Sequence, residues 1–546
     1  MLERPPPRAG RLPDVGRGSG ASVAVVAGLL VGAVAFAVGW PAAGVVVAVV
    51  RGAVRDPGAA AAALAVSPGV LARSVAAAGG IAVLATALAW GPARVLASGR
   101  ARALAPLLVA PMLMPMYLAF SGWGQARAPG TMVGDWIERL AGEGHRWVPI
   151  FAGRALAVVG LALWAVPIAA LILAGDLARR DASIEDALRL ERAGWWRRAL
   201  VRAGLTRAGL AWSVVAVTLV MLGSAVPLHL AQLETSAIVT WRKLAENGPG
   251  EWWRVWVGSW VVVVVAVVGG WVVGGRVVAG LRDTREGAAG AGAPVPARAG
   301  AYLGAAAVWM LGVGGPLALF AWTLDRWSRV ATFFELEGRG VAASATLAGL
   351  CAIGVAGLAM GTSFVLSTGS RRAAGVVGVV LRVLVVSALI PGVLVGAAVA
   401  RCGYEGPGAV VAAHLARFGV LGVGVGCWLA WAEPPERRAL RRVDGVAPLR
   451  AWAGACLPLQ WAPMVGVGLA AFALSVHEIE ASVIVQPPGV PSLAQYMLGL
   501  LHYARTLDLA AGAIVTIGGG LVVAVVAAAL VGVGSRQPVR TGRSIR

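Results

Sequence analysis

Runs of about 20 apolar residues recur from one end of this 546-residue chain to the other. Each is long enough to cross the ~30 Å of a bilayer's hydrocarbon as a helix. Backbone in hydrocarbon must satisfy its own hydrogen bonds, and over uninterrupted runs of this length only helices do so, which predicts an all-α bundle. About twelve such runs are present, near 21–40, 72–92, 103–122, 149–174, 207–229, 255–278, 301–323, 342–366, 374–399, 408–430, 460–484 and 511–534. Charged residues make up only 13% of the chain, where a soluble protein carries about a quarter, so a large soluble protein is excluded. The segment 41–66 is apolar but contains Arg51, Arg55 and Asp56, and reads as an interfacial or extracytoplasmic stretch.

A net charge of +21 would fit a nucleic-acid partner if the basic residues formed one surface. Instead they gather in alternate loops, as the positive-inside rule demands of a membrane protein. With an even number of spans and both termini cytoplasmic, the inner side receives Arg4, Arg8, Arg11, Arg17, Arg94, Arg100, Arg102, Arg371, Arg372, the tail arginines and two long arginine-rich loops at 176–207 and 433–458. The expected location is therefore a bacterial inner (plasma) membrane, with no nucleic-acid partner. The first run is long for a cleaved signal peptide and reads as a retained span. Cys351, Cys402, Cys427 and Cys456 show no metal-ligand spacing, so neither a zinc site nor a disulfide is expected. Many of the 22 tryptophans stand at the ends of runs, where indole suits the membrane interface.

The chain divides in two. Residues 279–300 are rich in Gly, Ala and Pro and read as a cytoplasmic linker. Before them lie a cytoplasmic tail (1–20), the span at 21–40 and a first transmembrane domain at 69–278. After them lie the span at 301–323, a second transmembrane domain at 341–534 and a second tail (535–546). In each half the long arginine-rich loop falls between the fourth and fifth spans, and internal repeats commonly place a translocation path at their interface. Prolines interrupt the third span (Pro106, Pro111, Pro115) and the ninth (Pro391), where a kinked helix could line a cavity.

Each basic loop reads as a short amphipathic helix, then a glycine, then an apolar–basic stretch entering a span. In the first, Ile184, Ala187, Leu188 and Trp195 share a face; in the second, Leu440, Val443 and Ala447 do, with Arg437/Arg441 and Arg438/Arg442 as helical neighbours. His477, Glu478 and Glu480 fall in or near the end of the eleventh span. Intramembrane acids are costly and are functional candidates by default. Glu478 is expected either to pair with a basic group such as Arg382, stabilising or gating the bundle, or to contact substrate directly.

These loops resemble those of binding-protein-dependent ABC importer permeases, marked by Glu-Ala-Ala, a following Gly, and Leu-Pro about a dozen residues later. Glu185, Asp186 and Ala187 match the start of that pattern in the first loop, with Gly194 nearby and Leu205–Thr206 at the Leu-Pro position. Asp444, Gly445, Leu457 and Pro458 match its end in the second, where Ala439, Leu440 and Arg441 stand in place of the triplet. The segment from Phe472 through Pro487, Pro488 and Gly489 to Leu500, Leu501, His502 and Tyr503 is similar to that of the fused, two-domain iron(III)-type permeases, as is the stretch around Pro391. In the first half, Ser224 and Pro227 occupy the corresponding segment.

The resemblance implies a type I permease fold of two six-helix repeats and no catalytic residue. It implies an external substrate-binding protein and two copies of an ABC ATPase that carry ATP and magnesium, docked on the two loops. A translocation path or gate would be formed near Ser224, Pro227, His477, Glu478, Glu480 and Gly489. The cargo would be iron(III), with thiamine, polyamine or phosphonate as alternatives; the oxygen donors near 478–480 would suit a ferric ion in transit. The residues agree on one point independently: the only lysine is Lys243, in Thr-Trp-Arg-Lys-Leu, so no phosphate-binding P-loop exists in this chain. An ion-coupled secondary transporter would want buried acids on many spans, yet the eleventh-span cluster dominates. A membrane enzyme would want clustered histidines or paired aspartates, yet His145, His229, His414, His477 and His502 are dispersed.

Overall fold

The computed structural model describes residues 16–98, 104–178, 190–191, 194–287, 297–404, 406–443 and 446–535. All regular secondary structure among them is helical. The elements used below are α1 (Ala21–Arg55), α2 (Pro68–Leu88), α3 (Ala105–Leu113), α4 (Met116–Gln125), α5 (Val148–Leu177), α6 (Trp195–Leu205), α7 (Arg207–Leu222) and α8 (Trp260–Gly287). They continue as α9 (Ala299–Thr323), α10 (Ser328–Ser367), α11 (Arg371–Leu389), α12 (Gly392–Ala400), α13 (Pro407–Trp431), α14 (Pro435–Val443), α15 (Pro448–Ala455), α16 (Leu457–Val476) and α17 (Thr506–Ser535).

Ten of the described helices are long and apolar enough to cross a membrane, and the protein is a multi-pass, all-α membrane protein. The expected third span is a bent pair, α3 and α4, meeting at 79°. The expected fifth is α7, a helix of 16 residues that ends at Leu222 rather than near 229. The stretch at 41–66 is helical: residues 41–55 continue α1, which runs for 35 residues to Arg55, and Pro57–Leu64 forms a short helix of its own. A π-turn at Ala35–Gly39 admits Pro41 just beyond it, since a widened turn relieves the clash and lost donor that proline brings to an α-helix. The same device recurs in α9, where a π-turn at Met310–Gly314 precedes Pro316.

The packing is reciprocal. α2, α5 and α7 pack on one another in the first half, and α10, α13 and α16 do so in the second. The first helix of each half packs away from its own neighbours in sequence: α1 lies on α10 and α11, and α9 lies on α4. The last helices are exchanged too, with α8 against α11 and α17 against α3. Small residues allow the closest approaches. A Cβ added at Gly422 or Gly426 of α13 would sit 2.3 Å from Val355 O or 2.5 Å from Ala359 O of α10, which is how helices without a hydrophobic driving force between them gain contact in lipid.

Candidate functional site

Two proline breaks face each other at the centre of the bundle. Proline cannot donate a backbone hydrogen bond, so α3 stops before Pro115 and α11 before Pro391. The residues ahead of them, Met114 and Ile390, turn to extended backbone (ψ 142° and 138°), and both prolines follow in extended conformation (ψ 132° and 131°). Each break frees carbonyls that must find donors inside the membrane. Trp164 of α5 donates its indole N–H to Met114 O, 2.8 Å, and Arg417 of α13 donates to Ala388 O and Ile390 O, both 3.0 Å. His477, just past the end of α16, donates Nε2–H to Leu113 O, 3.0 Å, since a carbonyl only accepts. Its counterpart past the end of α7 is Gly223, whose Cβ position lies 3.3 Å from Leu389 O.

The chain segments after α7 and α16 are tied together by Glu480. Its Oε1 accepts the backbone N–H of Ala225 at 2.7 Å and of Val226 at 3.3 Å, joining residues 255 apart in sequence. Oε2 makes no hydrogen bond among the described residues. The carboxylate can approach so closely because residue 392 is glycine, whose Cβ would lie 2.6 Å from Glu480 Cβ. Glu478 turns back on its own chain and accepts from Ala481 N–H, 2.9 Å.

A cavity of about 200 Å³ lies between the breaks, lined among others by Ser224, Pro227, His477, Glu478 and Glu480. Five of the six residues expected along a path are therefore brought together from both halves. The sixth, Gly489, takes φ +79° in the turn between Ser482–Val485 and Leu493–His502 and does not line this cavity.

Two expectations are corrected. Arg382 does not pair with Glu478: its guanidinium stacks over the Trp271 ring, 5.2 Å from the centroid, on the face where α11 meets α8. The cation on the cavity wall is Arg417, in the middle of α13, whose signal in the sequence is a lone arginine well inside an apolar run. Nor do His477, Glu478 and Glu480 converge as a ligand set, since each is engaged in a different direction. No group of three metal-type side chains occurs among the described residues.

The second arginine-rich loop is organised around a buried acid. Glu433 follows α13, and its side chain is 1% exposed. Arg441 reaches it at 2.6 Å, Arg438 at 3.4 Å, and the Cys456 thiol donates at 3.3 Å. Arg438 also donates to Ala430 O, 2.6 Å. Burial, then the Glu433 charge and hydrogen bond, push the Cys456 thiol up to about 12. The consequence for α14 is inversion. Its charged side chains Arg438 and Arg441 point inward, while Leu440 and Val443 are 64% and 83% exposed. Val446 and Leu449 continue the exposed apolar surface.

Leu457 and Pro458 open α16, with proline in the first turn where its missing N–H costs nothing. In the first loop, Gly194 caps α6, along which Trp196, Leu200 and Leu205 are exposed. Glu185, Asp186, Ala187, Asp444 and Gly445 lie outside the described residues.

The chain matches no family model, no curated protein and no solved structure in comparisons with each.

Proposed function

We propose that this chain is the permease subunit of an ATP-driven importer of the binding-protein-dependent ABC type, set in a bacterial inner membrane with both termini in the cytoplasm. The observation that carries the reading is the inverted helix α14. A solvated loop would turn arginines outward and leucines inward. Here two arginines are consumed by buried Glu433, and Leu440 and Val443 are presented outward. An exposed apolar ridge on a short helix is the shape that enters a groove on a partner. The partner proposed is an ABC ATPase, bound in two copies, one on α14 and one on the first arginine-rich loop, because this chain has no P-loop of its own.

The reciprocal packing of the halves and the matched breaks at Pro115 and Pro391 support a reading as two related six-helix repeats. In that reading the central cavity is a closed stage of the path. Force applied at α14 passes along α13 and α16 to the segments holding Glu480 and His477. Separation of the halves would break the Glu480 bonds to Ala225 and Val226 and open the cavity to one side. The cargo proposed is iron(III), delivered by an external binding protein; this rests on the similarity of the segment 472–503 to iron(III)-type permeases.

The test is reconstitution of the full-length chain with a co-expressed ABC ATPase and a ferric-loaded binding protein in proteoliposomes. Uptake that requires ATP and is lost in Leu440→Asp/Val443→Asp is expected. Uptake driven by a proton or sodium gradient without ATPase would overturn the reading in favour of a secondary transporter.

A further inference from the structure

A cleft of about 720 Å³ opens at the opposite end of the bundle from Glu433. α13 separates the two ends: it begins at Pro407, just after the turn carrying Arg401 and Cys402, and finishes at Trp431, just before Glu433. The cleft is bounded by the last turns of α1, the helix Trp252–Gly258 and that turn. α1 is 35 residues long, or ~52 Å at the helical rise, against ~30 Å of hydrocarbon. Its last turns therefore project past the apolar layer. Trp40, exposed on the cleft wall, stands at the level where indole favours the interface.

The cleft's charges do not balance. Arg51, Arg55, Arg254 and Arg401 line it together with Asp56 and Glu251. Both acids are taken by Arg254, at 3.1 and 2.7 Å. Arg401 donates to Pro249 O, 2.8 Å, a neutral acceptor that leaves its charge uncompensated. Arg51 and Arg55 are exposed and make no ion pair or hydrogen bond among the described residues. They stand four apart on one helix, where like charges repel, on the side of the membrane from which the positive-inside rule disfavours arginine. The helix is not free to turn them away. Gly52 is pressed on the Trp253 ring, with its Cβ position 2.2 Å from Trp253 Cδ2, which locks α1 against the helix Trp252–Gly258.

Four arginines against two acids leave this walled, water-accessible cleft with a net +2, carried by Arg51, Arg55 and Arg401 against the surplus acid on Arg254, a charge that suits a phosphate-type oxyanion accepting from planar N–H forks. We propose that this cleft is a binding site for a phosphate-type oxyanion, presented by an anionic phospholipid headgroup or by a soluble phosphate.

Cys402 provides the readout. It lines the cleft and is partly exposed, whereas Cys351, Cys427 and Cys456 are buried, so a maleimide applied to the folded full-length protein labels Cys402. Delipidated protein in neutral detergent is labelled in inorganic phosphate and in chloride of equal ionic strength. The protein in phosphatidylglycerol nanodiscs is compared with that in phosphatidylcholine nanodiscs. Protection of about tenfold at saturation is expected. Protection by inorganic phosphate assigns a soluble oxyanion; protection by phosphatidylglycerol alone assigns a headgroup. Protection should vanish in Arg51→Gln/Arg55→Gln, with three thiols still unlabelled as evidence of folding; Arg401→Gln serves in its place if that variant exposes them. Equal labelling in all four conditions, or protection that survives either variant, overturns the proposal.

Discussion

Trp164 and Arg417 perform the same task in the two halves: each stands roughly four turns before its helix ends, at Leu177 and Trp431, and donates to the carbonyl preceding a proline break. The chemistry differs and so do the demands. Trp164 makes one bond to Met114 O, whereas Arg417 serves both Ala388 O and Ile390 O and brings a charge to the cavity wall.

Removing the donors should therefore cost unequally. Trp164→Phe strands one buried carbonyl and is expected to destabilise by about 1–3 kcal/mol, while Arg417→Leu strands two and should cost about 2–6 kcal/mol, at 1–3 per unsatisfied group. Thermal unfolding in detergent, followed by tryptophan fluorescence and by size exclusion, measures both. Equal losses would refute the unequal roles.

The joint between the halves is expected to depend on Glu480 as an acceptor. Glu480→Gln retains an oxygen for Ala225 N–H and Val226 N–H and should be milder than Glu480→Ala, which leaves two donors buried without a partner and costs about 2–6 kcal/mol, at 1–3 for each. If alanine and glutamine behave alike in unfolding assays, the cross-link carries no weight.

Glycine at the same joint is required for space. A Cβ at Gly396 would lie 2.3 Å from Ala481 O, so Gly396→Ala must move backbone and is expected to lose about 1–3 kcal/mol. Gly375→Ala, with nothing within 4 Å, should be neutral or gain up to about 1 kcal/mol of helix preference. Matching melting temperatures for the two variants would contradict the packing described here.

Glu433→Ala would leave Arg438 and Arg441 buried without their acid, a loss of about 3–5 kcal/mol. Its second signature is chemical. In the native protein the Cys456 thiol holds its proton up to about 12, so the folded state binds a proton that the unfolded chain releases above 9.0. Stability from this source is present below that pH and is lost as pH rises through the window between the two values. Maleimide labelling of Cys456 should be negligible at pH 8 in the native protein and measurable in Glu433→Ala. Labelling at equal rates would show that the node does not exist.

Leu440→Asp/Val443→Asp should leave melting within about 0.5 kcal/mol of the native protein, because both side chains are exposed. Co-purification of an ABC ATPase should be lost. A fall in stability instead would mean that the apolar side of α14 is covered within the chain.

Much of this protein was legible in its residues. Hydrocarbon admits only helices that bond to themselves, so the apolar runs determined the class and the approximate course of most spans, and the prolines marked the interruptions at Pro115 and Pro391. The cost of burying carboxylates marks residues 477–480 in the sequence alone. Partners across space were not legible. Pairing in a bundle depends on which helix face meets which neighbour: the packing of α8 on α11 put Arg382 on Trp271, and the meeting of the segments after α7 and α16 put Glu480 on Ala225. An amphipathic pattern also has no sign: the period of α14 marked two faces, but only the burial of Glu433 decided that the arginines turn inward and the leucine outward.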